Sequence, residues 1–344
     1  MRECSNPPHG PRHHEASPSS RHDRDGEAGQ IGPGNRGGGE SLTTVLVALG
    51  TNLVIAGAKI FGGLIGSSSA LLSEGAHSIA DSLNEVLLFV ALRRSGRPPD
   101  RNHPFGYGKE RFFYSLMAGV GIFVAGGGYS IFEGILALTH PHQSHVSYTL
   151  KYVILGASFV LEAMSWLRAV HQLRDEARAK GRSVLGHLAT TSDPTVKTVA
   201  TEDSAALIGL ALAFGGIALH QATGRPVFDA VASLAIGALL IAVAAFLVRD
   251  NKEFLIGQAA EPEVRDGIMT LLGSCPEVTS VVEIMTEVLG PTELLVLARL
   301  DFEDSLTGAQ IEDASTRMAQ ELRRAFPEVT QVFLDATRAP SDLD

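Results

Sequence analysis

"EGAHSIADSLNEVLLF", residues 74–89, places Glu74, His77, Asp81 and Glu85 in a stretch otherwise apolar enough to cross a membrane. At about 100° per residue the four share an arc of about 80° on one helix face. They form a stripe, and a charged group at the centre of a lipid-facing helix costs about 2.5–3.5 kcal/mol on insertion scales, so the stripe must look into a bundle or a water-filled path.

The surrounding sequence supplies that bundle. Apolar windows fall near 43–65, 69–92, 113–137, 149–170, 196–219 and 227–248. Each is close to the length of about 20 residues that spans the hydrocarbon core, so six transmembrane helices are expected. The alternative, a soluble protein of buried helices, would rarely give so many windows of this length. The overall organisation reads as a disordered tail (1–40), a six-span domain (41–249), a small domain (250–338) and a C-terminal tail (339–344).

Lys and Arg near span ends orient such helices, because they are retained on the cytoplasmic side. The connection after span two carries Arg93, Arg94, Arg97, Arg101, Lys109 and Arg111, and that after span four carries Arg174, Arg178, Lys180, Arg182 and Lys197. On the other side, "GSSS" (66–69) and "THPHQSHVS" (139–147) have neither residue, 220–226 has only Arg225, and Lys151 opens span four. Both termini are thus expected in the cytoplasm. With no presequence rich in Arg and Ser, the expected location is the plasma membrane.

The remaining features exclude several classes. The head is too polar to bury a core or act as a signal peptide, and its His9, His13, His14 and His22 read as solvated before they read as ligands. Cys4 and Cys275 are too few to suggest a disulfide framework or a Cys-rich zinc site. A net charge of −10 argues against nucleic acid as a partner. There is no GxxxxGK[ST] phosphate loop, and Gly62 with Gly66, or Gly121 with Ala125, read as helix-packing positions. No HExxH occurs, so an intramembrane metalloprotease is disfavoured and no enzyme activity or resident cofactor is expected.

Within the stripe, His77 and Asp81 stand four residues apart, so an imidazole nitrogen and a carboxylate oxygen can converge on one divalent ion. Span five adds Glu202 and Asp203 about two turns inside its cytoplasmic end, and span one adds Asn52 and Lys59 on one face. Lys59 and Glu74 lie at similar depth. Their pairing would leave His77 and Asp81 free for a substrate ion.

Together, "SSSALLSEGAHSIADSLNEVLLFVALRRS" (67–95) and "HPFGYGKERFFYSL" (103–116) resemble the second span and following loop of the cation diffusion facilitators. The resemblance covers about residues 42–336. It implies a six-span exporter of zinc and related divalent ions working by metal/proton antiport. It also implies two ligands from span two, matched by His77 and Asp81, and an HxxxD in span five. Asp203 matches the Asp, but position 199 is Val, and Glu202 has no counterpart in that pattern. The candidate metal set is therefore His77, Asp81 and Asp203, with Glu202 as a fourth ligand if α-helical geometry relaxes. Three ligands with water is the favoured arrangement, and it predicts weaker preference for zinc over manganese.

The tail reads as αββαβ: helix 261–273, strands 278–288 and 293–303, helix 307–325, strand 328–336. It resembles the family's ferredoxin-like cytoplasmic domain, which implies a homodimer. No His follows His220, so no high-affinity zinc site is expected there. Protons are the natural exchange partner, since imidazole and buried carboxylates both release metal on protonation. The sequence leaves open a transporter preferring manganese, cobalt or iron, and a membrane receptor or scaffold that binds metal without net transport.

Overall fold

The structure, a computed structural model, describes residues 42–140, 148–179, 181–191 and 193–339. The expectations for the head, its histidines and Cys4, and for the last five residues, lie outside the described residues.

Six helical rods make up the first two thirds of the described chain. They are α1 (Leu42–Gly66), α2 (Ser69–Ser95), the continuous run Glu110–Thr139, α5 (Tyr148–Ala179), α7 (Pro194–Thr223) and α8 (Val227–Ile256). Five of the six are long and apolar enough to cross a membrane. The exception is α2, whose polar stripe lowers its hydropathy; it is instead wrapped by its neighbours, with Leu71, Glu74, His77, Ala80 and Asn84 all buried. The molecule is a multi-pass membrane protein in which the most polar rod occupies the centre.

The third rod is not uniform. It consists of α3 (Glu110–Gly121), a π-helical turn over Ile122–Gly128 and α4 (Tyr129–Thr139). The turn contains Gly126, Gly127 and Gly128, and its glycines allow close approach: a Cβ on Gly127 would lie 2.7 Å from Ile241 Cγ1 on α8. Gly62 and Gly66 act as the sequence suggested. A Cβ at either would lie 2.5 Å from Ile154 Cδ1 or 2.7 Å from Lys151 Cε of α5.

A short helix unforeseen in the sequence, α6 (Val184–Thr190), lies between α5 and α7. After α8 comes the small domain: α9 (Pro262–Gly273), β1 (Val278–Gly290), β2 (Glu293–Phe302), α10 (Gly308–Ala325) and β3 (Val329–Ala336). This is the expected αββαβ order. The sheet runs β1-β2-β3, antiparallel then parallel, with α10 as the crossover between β2 and β3. Thr307 and Gln310 form a capping box that starts α10. Val296, Ala298 and Leu300 point into the core with Ile268, Leu272, Met318 and Leu322, and Cys275 is buried beside them.

The small domain is seated against the helices. Phe112 of α3, fully buried, stacks on Phe254 of α8 at 4.6 Å between ring centroids, and both belong to the small domain's core. Lys109 reaches Glu287 of β1 at 2.5 Å, and Arg182 reaches Glu261 at 2.6 Å. The loop before α3 is itself ordered by Asp100, which accepts bonds from the backbone of Asn102 and His103 and from the Tyr107 hydroxyl. These bonds, that of Tyr107 foremost, hold the Asp100 carboxyl down at about 2. Phe112→Ala would remove an aromatic ring from a fully packed site, and a loss of about 3–5 kcal/mol is expected, read as a lower thermal midpoint of the detergent-solubilised protein.

Candidate metal site

The stripe on α2 is divided between two jobs. At its outer part, Lys59 of α1 donates to Glu74 Oε2 at 3.2 Å and to Ser78 Oγ at 2.8 Å, with both charged side chains fully buried. Two turns away along α1, Asn52 donates to Glu85 at 2.6 Å. The pairing expected from equal depth is therefore present, and Glu74 and Glu85 are tied to α1.

His77 and Asp81 are left between these ties. His77 is 1% exposed, and its Nδ1 stands 3.4 Å from Asp81 Oδ1 without hydrogen-bond geometry. Neither of its ring nitrogens has a hydrogen-bond partner, and the same holds for Asp81 Oδ1. Buried polar atoms in that state cost about 1–3 kcal/mol each unless a partner is supplied.

On α7, Glu202 and Asp203 diverge as their 100° separation requires. Glu202 turns to α2, where the Asn84 amide donates to its Oε2, while its buried Oε1 has no hydrogen-bond partner. Asp203 turns to α5 and accepts from Ser165 at 3.0 Å. Asp81 nonetheless lies within the electrostatic reach of Glu202, Glu162, Asp203 and Lys59. Among the described residues no three His, Cys, Asp or Glu side chains converge on one point, so His77 and Asp81 are brought together and Glu202 and Asp203 stand beside them, each on its own partner.

Two residues of this centre were not singled out in the sequence. Glu162 of α5 lies 3.8 Å from Lys59, and Asn84 holds Glu202. A lone Glu in the window 149–170 was a signal in its own right, since an ionisable residue inside a span marks function or pairing.

A polytopic membrane protein with buried carboxylates and imidazole at the centre of its bundle, and an αββαβ domain at one end, is of the ion-handling class. The chain belongs to the cation efflux family, the cation diffusion facilitators: the model of the cation efflux transmembrane domain matches residues 45–256. It is 37% identical over 268 residues to the proton-coupled zinc antiporter SLC30A9, mitochondrial, of Xenopus laevis, covering 78% of this chain and 47% of that protein. The human protein of that name is 34% identical over 84% of this chain and 51% of its own length. The manganese efflux system protein MneP of Bacillus subtilis is 27% identical, over 86% of this chain and 95% of its own. The chain thus spans about half the length of the two animal relatives.

Removing the Lys59 ammonium would strand Glu74 in a dry site, so Lys59→Met should destabilise by about 3–5 kcal/mol, whereas Lys59→Met with Glu74→Met should recover most of the loss. Thermal unfolding of the purified variants checks both.

Proposed function

We propose that the protein exports divalent cations across its membrane in exchange for protons, with zinc as the principal cargo and His77, Asp81 and Asp203 as its ligands. The observation that carries this reading is the polar centre. His77 is buried with neither ring nitrogen hydrogen-bonded, Asp81 Oδ1 beside it has no hydrogen-bond partner, and the carboxylates Glu74, Asp81 and Glu162 lie around the ammonium of Lys59, with Glu202 and Asp203 acting on Asp81 from α7. That imbalance suits a divalent ion or protons in alternation, because each neutralises the centre and each displaces the other. The names of the animal relatives support zinc and proton coupling.

Manganese is the second reading. The centre offers one imidazole and several carboxylates, Val199 adds no ligand, and oxygen-rich sites suit manganese. The name of the Bacillus relative points the same way.

The Lys/Arg-rich connections and the small domain lie at the same end of the bundle, where Lys109 and Arg182 contact it. We place that end and both termini on the side from which cations are exported. The plasma membrane expected from the sequence gains no support from the animal relatives, whose names assign them to mitochondria. The active unit is proposed to be a homodimer. Met285, Leu297 and Phe333 lie in register across the sheet face opposite the small domain's helices, and Met285 and Phe333 are exposed, which suits a second copy of the chain.

In proteoliposomes with an imposed proton gradient, Asp81→Asn should abolish zinc flux while leaving the protein folded; flux at the parental rate would refute the site. Val199→His should raise the zinc-to-manganese flux ratio, and Glu202→Gln should keep much of the parental activity, whereas Asp203→Asn should lose it. For orientation, a cysteine at Arg225 and one at Arg101 should react with an impermeant thiol reagent from opposite faces of sealed vesicles.

A further inference from the structure

Resting on the site proposed above, we infer that Glu162 of α5 is a further ligand of the transported ion, supplying from the fourth span the donor that Val199 cannot give, and that Lys59 holds this carboxylate when no ion is bound. Its position is set by the α5–α7 seam. Ser165 donates to Asp203 at 3.0 Å and Trp166 Nε1 to Ser204 at 3.0 Å, which fixes the register of the two helices. Glu162 stands three residues before Ser165, one turn along the same face.

From there its charge acts on Glu74, Asp81, Glu202 and Asp203 alike, so it faces the candidate ligands of both α2 and α7. Three of these four carboxylates already hold a hydrogen bond through one oxygen. Glu74 is bound by Lys59, Glu202 by Asn84 and Asp203 by Ser165. Glu162 is held more loosely: its Oε1 is 3.8 Å from Lys59 Nζ, and its side chain is 16% exposed where that of Glu74 is fully buried.

Independent of the carboxylates, the imidazole of His77 is buried with both nitrogens lacking a hydrogen-bond partner, which marks the same centre as a place for a cation. When the ion arrives, Glu162 exchanges one cation for another. Lys59 keeps Glu74 and Ser78, so its charge is not stranded.

The test uses the full chain in detergent, with zinc and cobalt(II) as probes and Asp81→Asn as the reference for the site. Glu162→Gln should weaken cobalt binding at least tenfold, and Glu162→Asp, which keeps the charge and shortens the reach, should bind between the two. Zinc-edge X-ray absorption of Glu162→His should show one more imidazole in the coordination shell than the parent, a signal that a merely structural partner of Lys59 would not produce. Parental binding by Glu162→Gln and no added imidazole in Glu162→His, alongside lost binding in Asp81→Asn, would overturn the role of Glu162 alone. Parental binding by Asp81→Asn would overturn the site itself.

Discussion

A lysine ammonium cannot be left unpaired inside a helix bundle, and the partners of Lys59 organise the membrane domain around that requirement. Glu74 and Ser78 come from α2 and Glu162 from α5, so one charge draws three helices together. The contact also fixes how α1 lies along α2, since Asn52, two turns from Lys59, then falls opposite Glu85. Glu74 and Glu85 are each bonded to α1 through one carboxylate oxygen, whereas His77 between them has neither ring nitrogen hydrogen-bonded. The pairing that specifies the packing therefore involves Glu74 and Glu85 and not His77 or Asp81.

The seating of the small domain accounts for a motif whose purpose was not evident from its residues alone. In "HPFGYGKERFFYSL", Gly106 adopts a φ of +86° and Gly108 passes so close to β1 that a Cβ would lie 2.5 Å from Leu289 O. Lys109 and Phe112 then reach Glu287 and Phe254. The loop works as a fitted joint: Gly106 takes a left-handed backbone that side chains disfavour, and a side chain on Gly108 would hold the surfaces apart.

Much of this was legible in the sequence where a periodic signal was strong. The α2 stripe, the six rods and the five elements of the small domain follow from helical and alternating apolar patterns, and the Lys59–Glu74 pair follows from equal depth. What was not legible depends on rotation of one helix against another. The separation of Glu202 from Asp203 was evident, but that Asn84 would take the first and Ser165 the second is a tertiary fact. The π-helical turn over Ile122–Gly128 arises where glycines meet Leu240 and Ile241 of α8, and a glycine run by itself specifies no such geometry. Glu162 lies in a window that length and flanking charge mark only as a span, although a carboxylate in that setting carries its own message.

At the end of α2 away from the small domain, Asp229 of α8 accepts from the Ser68 hydroxyl and from both the backbone and hydroxyl of Ser69, and one turn further Ser73 meets Ser233 at 2.6 Å. Asp229 thereby caps a helix to which it does not belong, placing negative charge at its N-terminus. Between α5 and α7, Ser165 donates to Asp203 and Trp166 to Ser204, and nearer the other end Tyr152 donates to Gln221. With its first turn bonded to α8 and its stripe bonded to α1, α2 is located from two sides, so a displacement of α8 is passed to α2 at its start and shifts the stripe that bears His77 and Asp81.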